Sequence, residues 1–207
     1  MNELVIFDLD GTLYKTEVAS VPALKEAFSR FDIDVSKETI LDQFGEPTSQ
    51  IIKNLVPKKK DHLKDQIEKA ITENENEMIP DRATLYGGIK DVLVSLEGNG
   101  YTLAICSNGR REYIEKVLET TSIEKYFSSI KGYTPGKTKA DLIRELIEEF
   151  SAEGAVMVGD RYHDLEAAEK VGVHSVGAKY GYGGEEVEKA DHVVSEPADL
   201  VPVLEKI

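Results

Sequence analysis

Short runs of consecutive apolar residues recur along the chain, separated by segments in which apolar residues return every three or four positions. Runs that are apolar on both faces are typical of strands buried in a parallel sheet. The sequence predicts such strands at residues 4–7, 101–106 and 155–158, with weaker ones at 173–176 and 192–194. Helical spacing falls around residues 89–96, 114–118, 142–147 and 165–171. This alternation predicts an α/β fold with a mainly parallel sheet.

Residues 15–86 break the alternation, because they contain no clear apolar strand and show helical spacing. Helices are predicted at about residues 18–31, 37–44, 49–55 and 58–78. Ser36 is the predicted N-cap of the second helix, and Pro47, Pro57 and Pro80 are expected to separate the others. A helical block inserted after the first strand indicates a small second domain, or cap. We expect an α/β core of residues 1–14 and 87–207, a helical cap of residues 15–86, and hinges near 14–17 and 83–88.

The chain is strongly acidic, with 25 Lys and Arg against 39 Asp and Glu in 207 residues and a formal net charge of −14. Residues 15–86 carry 11 basic and 14 acidic side chains, so most of the excess lies outside them. This charge excludes a generic nucleic-acid or anionic-membrane surface, which would need a basic patch. A small anionic ligand is compatible with it only if a local group offsets the repulsion.

Other features of the composition point to an ordinary globular protein. No apolar run approaches the ~18–20 residues of a membrane span. The N-terminal residues lack the basic region of a signal peptide. The single cysteine, Cys106, excludes an internal disulfide and a multi-cysteine zinc site. We expect a cytoplasmic protein that binds neither nucleic acid nor membranes; the sequence does not indicate its oligomeric state.

Polar residues follow three of the predicted strands at the point where each strand ends. They are Asp8 and Asp10, Ser107 and Asn108, and Asp160 and Asp164. Ligands of open parallel sheets bind beyond the carboxyl ends of the strands, so these groups are expected to converge. Carboxylates held close together repel each other unless a proton or cation intervenes, and hard oxygen ligands suit Mg²⁺. One such pair alone is equally compatible with solvated turn acids or a structural cation; three strand ends together favour a metal site.

Two further segments could bind an anion. Ser107 and Asn108, with Gly109, offer hydroxyl, amide and backbone donors at the start of a helix. Lys137 and Lys139 lie just before another helix, where a lysine could neutralise a phosphate and a carboxylate. Taken singly, the triplet is more typical of a capped turn and each lysine of a solvated surface charge.

Four motifs in order resemble those of haloacid dehalogenase superfamily phosphatases that carry a helical cap after the first strand. The first, at residues 7–13, matches the Asp-x-Asp-Gly-Thr element of that family, and residues 106–109 resemble the second. One of the two lysines resembles the third, and residues 158–164 resemble the fourth, Gly-Asp-x-x-x-Asp. Residues 180–183 and 190–192 also resemble phosphoglycolate-phosphatase-like members. The resemblance covers nearly the whole chain and implies a Rossmann-like parallel core.

The resemblance also implies chemistry. Asp8 would be the nucleophile that becomes an aspartyl phosphate, and Asp10 the general acid and base. Lys139, whose sequence context resembles the family more closely, or alternatively Lys137, would stabilise the charge of Asp8 and of the transferring group.

The binding groups follow from the same resemblance. The phosphoryl group would be bound by Ser107, Asn108 and Thr12. Mg²⁺ would be bound by Asp8, Asp160 and Asp164, and by Asp10 through its backbone carbonyl.

The expected function is therefore a Mg²⁺-dependent phosphatase that hydrolyses the phosphomonoester of a small metabolite. A dehalogenase is disfavoured, because the family dehalogenases lack the second aspartate. A sugar-phosphate mutase, a phosphonate hydrolase with a Schiff-base lysine in the cap, and a non-catalytic phosphate-binding protein are the alternatives. The sequence does not identify the ester.

Overall fold

The computed structural model describes residues 3–207, which fold around a single parallel sheet of six strands. The strand order is β3-β2-β1-β4-β5-β6. The strands are β1 (Glu3–Phe7), β2 (Thr102–Cys106), β3 (Ser129–Lys131), β4 (Gly154–Gly159), β5 (His174–Ala178) and β6 (His192–Val194). The α/β fold and the parallel sheet predicted from the sequence are confirmed.

The register of the sheet aligns the ends of its three central strands. Phe7 at the end of β1 lies opposite Ile105 of β2 and Val158 of β4. The residues that follow these strands therefore emerge side by side at one edge, as the sequence predicts. Strand β3 was not predicted, because its three half-buried residues form no apolar run.

Helices cover both faces of the sheet. One apolar cluster joins Val5 and Phe7 of β1 to α5 (Ile89–Gly98) and α6 (Arg111–Thr121). A second cluster joins Leu4 and Ile6 to α7 (Lys139–Phe150) and α8 (Tyr162–Val171). Alternate residues of β1 thus point to opposite faces, as strand geometry requires. Helix α9 (Leu200–Leu204) completes the first face.

The segment between β1 and β2 is helical and has an apolar cluster of its own. It contains α1 (Ser20–Ser29), α2 (Lys37–Leu41), α3 (Thr48–Leu55) and α4 (Lys64–Arg82), with 3₁₀ turns at Thr16–Val18 and Lys58–Leu63. Buried residues from all four helices pack together, among them Phe28, Ile40, Ile52 and Ile67. We call residues 15–86 the helical insert.

Two local predictions for the insert have different outcomes. Ser36 caps α2, since its hydroxyl accepts the Thr39 backbone N–H at 3.1 Å. The expectation that Pro80 ends a helix is wrong, because α4 continues through it to Arg82. A proline so close to the end of a helix removes one backbone hydrogen bond, while the neighbouring Ile79 is fully buried and keeps the last turn packed.

The two chain segments that connect the insert to the sheet run side by side. The Lys15 N–H donates to the Thr84 carbonyl at 2.8 Å, and the Tyr86 N–H donates to the Leu13 carbonyl at 3.0 Å. Tyr14 and Leu85 form an antiparallel bridge between them. Within residues 3–207, no helix is both long and apolar enough to cross a membrane.

Candidate active site

Three buried carboxylates meet at the carboxyl edge of β1 and β4. Oxygens of Asp8, Asp160 and Asp164 all lie within 4.8 Å of one another. The Asp8 N–H donates to the Val158 carbonyl at 2.9 Å, which fixes the chain as it leaves β1. A Cβ at Gly159 would overlap the Asp164 side chain. Glycine is therefore needed at the end of β4 for the Asp164 carboxylate to pack beside Asp8 and Asp160.

Lys139 joins these carboxylates from the first turn of α7. Its Nζ donates to Asp8 Oδ1 at 2.7 Å and also to Asp164 Oδ1. Thr138 begins the helix through a reciprocal capping box with Asp141, which fixes the direction of the Lys139 side chain. Lys137 instead lies on the surface, where its Nζ is 2.5 Å from Glu145 Oε1. Of the two candidate lysines, the structure brings only Lys139 into the cluster.

The cluster carries an excess of negative charge, and its side chains are buried. The pKa of Asp8 is raised to about 7, because burial and, to a smaller extent, the charges of Asp164 and Asp10 outweigh the opposing effect of Lys139. Burial also raises the pKa of Asp160 well above its ordinary range. Three ionised carboxylates and one ammonium group leave two negative charges uncompensated. A divalent cation would balance this charge, and the hard oxygen donors fit Mg²⁺.

Asp10 lies beside this cluster but turns its carboxylate another way. Its Oδ1 accepts from Thr16 Oγ1 at 2.8 Å and from the Tyr113 hydroxyl at 2.6 Å. Burial raises the pKa of Asp10, and these two hydrogen bonds lower it. Sequence reasoning missed Tyr113; its place on the first turns of the helix after Ser107 is the signal that could have indicated it.

The predicted phosphate-binding residues occupy two places. Ser107 is buried beside Asp8, and its hydroxyl accepts the Gly109 N–H at 3.0 Å. The Asn108 side chain donates to the Gly45 carbonyl of the helical insert at 2.7 Å. Thr12 lies on the carboxylate side, where its hydroxyl contacts Asp160 Oδ1 at 3.4 Å.

The loop after β5 closes the other side of the cluster. The Tyr182 N–H donates to Asp160 Oδ2 at 2.7 Å, and the Tyr180 hydroxyl donates to the Thr12 carbonyl at 3.0 Å. This loop contains residues 180–183, the segment whose sequence resembles phosphoglycolate-phosphatase-like proteins.

A cavity between the sheet edge and the helical insert opens onto these groups. Asp8, Asp10 and Ser107 lie at its base. Its remaining wall is formed by Thr16, Ser20, Leu24, Phe44, Gly45, Glu46, Thr48, Ile51, Glu75, Asn108, Gly109, Arg110 and Tyr113. Glu75 and Arg110 form an ion pair there, with Oε2 and Nη2 separated by 3.0 Å. Sequence reasoning assigned no role to this pair, because Glu75 lies on α4 and Arg110 is the N-cap residue of α6, far along the chain.

The parallel sheet and the carboxylate cluster at its strand ends are typical of one family of hydrolases. Residues 5–178 match the family model described as haloacid dehalogenase-like hydrolase. The match spans most of the chain, and the protein belongs to this family.

Individual relatives carry several different activities in their names. The chain is 29% identical to a phosphoglycolate phosphatase of Agrobacterium fabrum, covering 99% of this chain and 93% of the relative. It is 28% identical to a 5′-nucleotidase of Pseudomonas aeruginosa, covering 95% and 91%. It is 25% identical to the pyrophosphatase PpaX of Oceanobacillus iheyensis, covering 97% and 95%.

Solved structures show the same fold along the whole chain. A haloacid dehalogenase-like family protein from Streptococcus pneumoniae superposes with a TM-score of 0.88 at 21% identity, covering 98% of both chains. CbbY from Rhodobacter sphaeroides, solved in complex with phosphate, has a TM-score of 0.81 at 23% identity, covering 97% of this chain and 96% of that one. At these identities the likeness concerns the fold alone.

Proposed function

We propose that the protein is a Mg²⁺-dependent phosphatase that hydrolyses small phosphomonoesters through a phosphorylated Asp8. The observation that carries this proposal is the contact of Asp8 with Lys139 within a buried carboxylate cluster, at the base of a cavity that Asp10 also lines. The family match and the phosphatase relatives support the same reaction class.

The first half of the reaction forms a bond between a carboxylate oxygen of Asp8 and phosphorus. The bond from phosphorus to the ester oxygen breaks, and Asp10 gives its proton to the departing alkoxide. The raised pKa of Asp10 helps it to hold that proton, and the Tyr113 and Thr16 hydrogen bonds orient it. Lys139, at 2.7 Å from Asp8, offsets negative charge that builds up on the transferring group.

The second half restores the enzyme. Asp10, now ionised, takes a proton from a water molecule whose oxygen attacks phosphorus. The bond between phosphorus and Asp8 breaks, which releases orthophosphate and returns Asp8 to its carboxylate form. Ser107 and Asn108 would hold the phosphoryl oxygens during both steps.

Asp8, Asp160 and Asp164, with the Asp10 backbone carbonyl, would hold Mg²⁺. The bound cation would supply positive charge that offsets the carboxylates and the phosphoryl oxygens. The Tyr182 N–H and the Thr12 hydroxyl fix the orientation of Asp160 from outside the cluster.

Residues 15–86 would act as a cap over a core of residues 1–14 and 87–207. The separate apolar cluster of the insert and its paired connecting segments support this division. Closure of the cap would exclude bulk water from the phosphorylated aspartate.

The alternatives receive less support. A phosphonate hydrolase would need a lysine from the cap. Among the described residues that line the cavity there is no lysine from residues 15–86. A non-catalytic phosphate-binding protein would have no use for the half-buried Asp10 and its two hydrogen bonds. The mutase alternative is tested by its product, because a mutase transfers the phosphoryl group to a sugar hydroxyl instead of water.

The decisive experiment measures hydrolysis of p-nitrophenyl phosphate with and without Mg²⁺. Wild type should depend on Mg²⁺, and Asp8→Asn should lose activity by on the order of a thousandfold or more, because an amide cannot replace the nucleophile. Asp34→Asn, at an exposed position of the insert, is the matched control and should keep full activity. Inactive wild type, or an Asp8→Asn variant as active as wild type, would refute the proposal.

A further inference from the structure

The cavity wall beyond the reacting groups would contact the alcohol part of the substrate. Among the described residues that form this wall, Arg110 is the one with a cationic side chain. The charge that Arg110 offers to a ligand therefore decides whether the wall can accept an anionic leaving group.

In the structure, the positive charge of Arg110 is already paired with the carboxylate of Glu75. Arg110 Nη2 lies 3.0 Å from Glu75 Oε2, and Nη1 donates to the Thr72 hydroxyl. The side chains of Arg110 and Glu75 are 25% and 10% exposed, so solvent screens the pair only weakly. A partner carboxylate in this setting holds the guanidinium in place and cancels its charge.

The acidic residues of the wall are engaged as well. Glu75 Oε1 also contacts the Ser20 hydroxyl at 3.5 Å. Glu46 Oε1 lies 3.2 Å from His163 Nε2. A leaving group with a carboxylate or a second phosphate would meet an arginine whose charge is already balanced, close to the carboxylates of Glu75 and Asp10, and it would lose hydration without gaining an unpaired cation.

The rest of the wall suits a neutral molecule that carries hydroxyl groups. Thr48 provides a hydroxyl that can donate and accept, and the hydroxyls of Ser20 and Tyr113, which donate to Glu75 and Asp10, can accept hydrogen bonds. Leu24, Phe44 and Ile51 provide an apolar surface beside them. This combination matches the alternating polar and apolar faces of a sugar or polyol.

We propose that the substrate is the phosphate ester of a neutral hydroxylated alcohol, and that Glu75 determines this preference by cancelling the charge of Arg110. The inference rests on the proposed phosphatase function and narrows it. It distinguishes this chain from enzymes for phosphoglycolate or pyrophosphate, whose leaving groups are anions.

Matched esters test the preference without any mutation. Phosphoglycolate and 2-hydroxyethyl phosphate share a two-carbon skeleton and differ in a carboxylate against a neutral hydroxymethyl group. The compounds 3-phosphoglycerate and glycerol 3-phosphate form the corresponding three-carbon pair. We expect kcat/KM for the neutral member of each pair to be higher by roughly tenfold or more. The assay is run at about pH 8, above the Glu75 pKa of about 7.

Variants test the role of Glu75. Glu75→Gln keeps the side-chain shape and leaves Arg110 with an uncompensated charge, so the ratio of anionic to neutral kcat/KM should rise by roughly tenfold. The double variant Glu75→Gln with Arg110→Gln should lose this rise. Glu73→Gln, which removes an exposed charge from the same helix, should keep the wild-type ratio. Because each ratio is measured within one protein sample, a partly unfolded fraction cancels.

The outcomes separate the two proposals. Wild type that hydrolyses the anionic esters as well as the neutral ones, or a Glu75→Gln variant with an unchanged ratio, would overturn the inference while the phosphatase function stands. Wild type inactive on every ester, p-nitrophenyl phosphate included, would overturn the proposed function and the inference with it.

Discussion

At the scale of single residues, Lys137 and Lys139 lie on opposite sides of the Thr138 cap and have different surroundings. Lys137 precedes the Thr138 cap and pairs with Glu145 at the surface. Lys139 follows the cap and is buried against Asp8 and Asp164. Burial lowers the pKa of Lys139, but the two carboxylates outweigh it and keep the ammonium charged.

This contrast gives a matched prediction. Lys139→Met should lower kcat by on the order of a hundredfold or more, because the charge next to Asp8 is lost while the apolar stem is kept. Lys137→Met should change kcat by less than about twofold, since exposed ion pairs contribute little. Steady-state kinetics with p-nitrophenyl phosphate measure both, and equal losses in the two variants would contradict the assignment of Lys139.

Glu75 makes a second prediction at the residue scale, on stability. Burial raises its pKa from an ordinary value of 4.5 to about 7, although Arg110 lowers it. Between these values the folded protein binds more protons at Glu75 than the unfolded chain does, so the free energy of unfolding falls as pH rises. Between about pH 4.5 and 7, the ionisation of Glu75 should lower the free energy of unfolding of the wild type by on the order of 1–3 kcal/mol. Glu75→Gln should not show this decrease.

Urea denaturation of the metal-free protein at several pH values measures the slope. Asp8, whose pKa burial also raises, contributes to the slope in both proteins, so the difference between them isolates Glu75. Glu73→Gln should follow the wild-type curve. A Glu75→Gln curve parallel to that of wild type would show that Glu75 does not titrate in this range.

At the scale of elements, strand β4 has a glycine at each end, and only one of the two is needed by the site. Gly154 and Gly159 lie at its two ends. A Cβ at Gly154 would meet no atom within 4 Å, whereas one at Gly159 would overlap Asp164. The glycine at the carboxyl end is therefore required by the carboxylate that packs against it.

Substitution by alanine should separate the two effects. Gly159→Ala should weaken Mg²⁺ binding by about ten- to a hundredfold, because Asp164 must move away. Gly154→Ala should leave Mg²⁺ binding unchanged. The rise in melting temperature with Mg²⁺ concentration measures both, and an unaltered response of Gly159→Ala would exclude the proposed role of Asp164 in the metal site.

At the scale of the whole molecule, polar contacts join the helical insert to the sheet edge around the cavity. Arg161 Nη1 donates to the Phe44 carbonyl at 2.5 Å, while its Nε donates to Glu186 at 2.6 Å. Asn108 reaches the neighbouring Gly45 carbonyl. We propose that these contacts hold the cap in a closed arrangement.

Removing one of them should favour an open arrangement. Arg161→Ala should raise KM several-fold, because closure over the substrate then has fewer contacts to stabilise it. Its radius of gyration in small-angle scattering should exceed that of wild type. Arg144→Ala, which removes an exposed arginine of α7, is the control. If Arg161→Ala keeps both the wild-type KM and the wild-type radius, the contact does not govern closure.

Much of the architecture follows from the sequence, because local patterns report it directly. Apolar runs at β1, β2 and β4 predict buried parallel strands, and the residues after them predict the carboxylate cluster. Strand β3 was not predicted because it has no apolar pattern of its own. It is stabilised by hydrogen bonding to β2 at the edge of the sheet. The continuation of α4 through Pro80 likewise depends on the packing of Ile79.

The sequence alone determined the α/β class, the helical insert and the acidic residues at the strand ends, because strand periodicity and strand-end chemistry are properties of short segments. The tertiary structure decided which lysine reaches Asp8, since Lys139 begins α7 and is buried, whereas Lys137 lies before the Thr138 cap and stays at the surface. The tertiary structure also decided the charge of the cavity wall. Glu75 and Arg110 lie 35 positions apart, and only the packing of α4 against α6 brings their charges together.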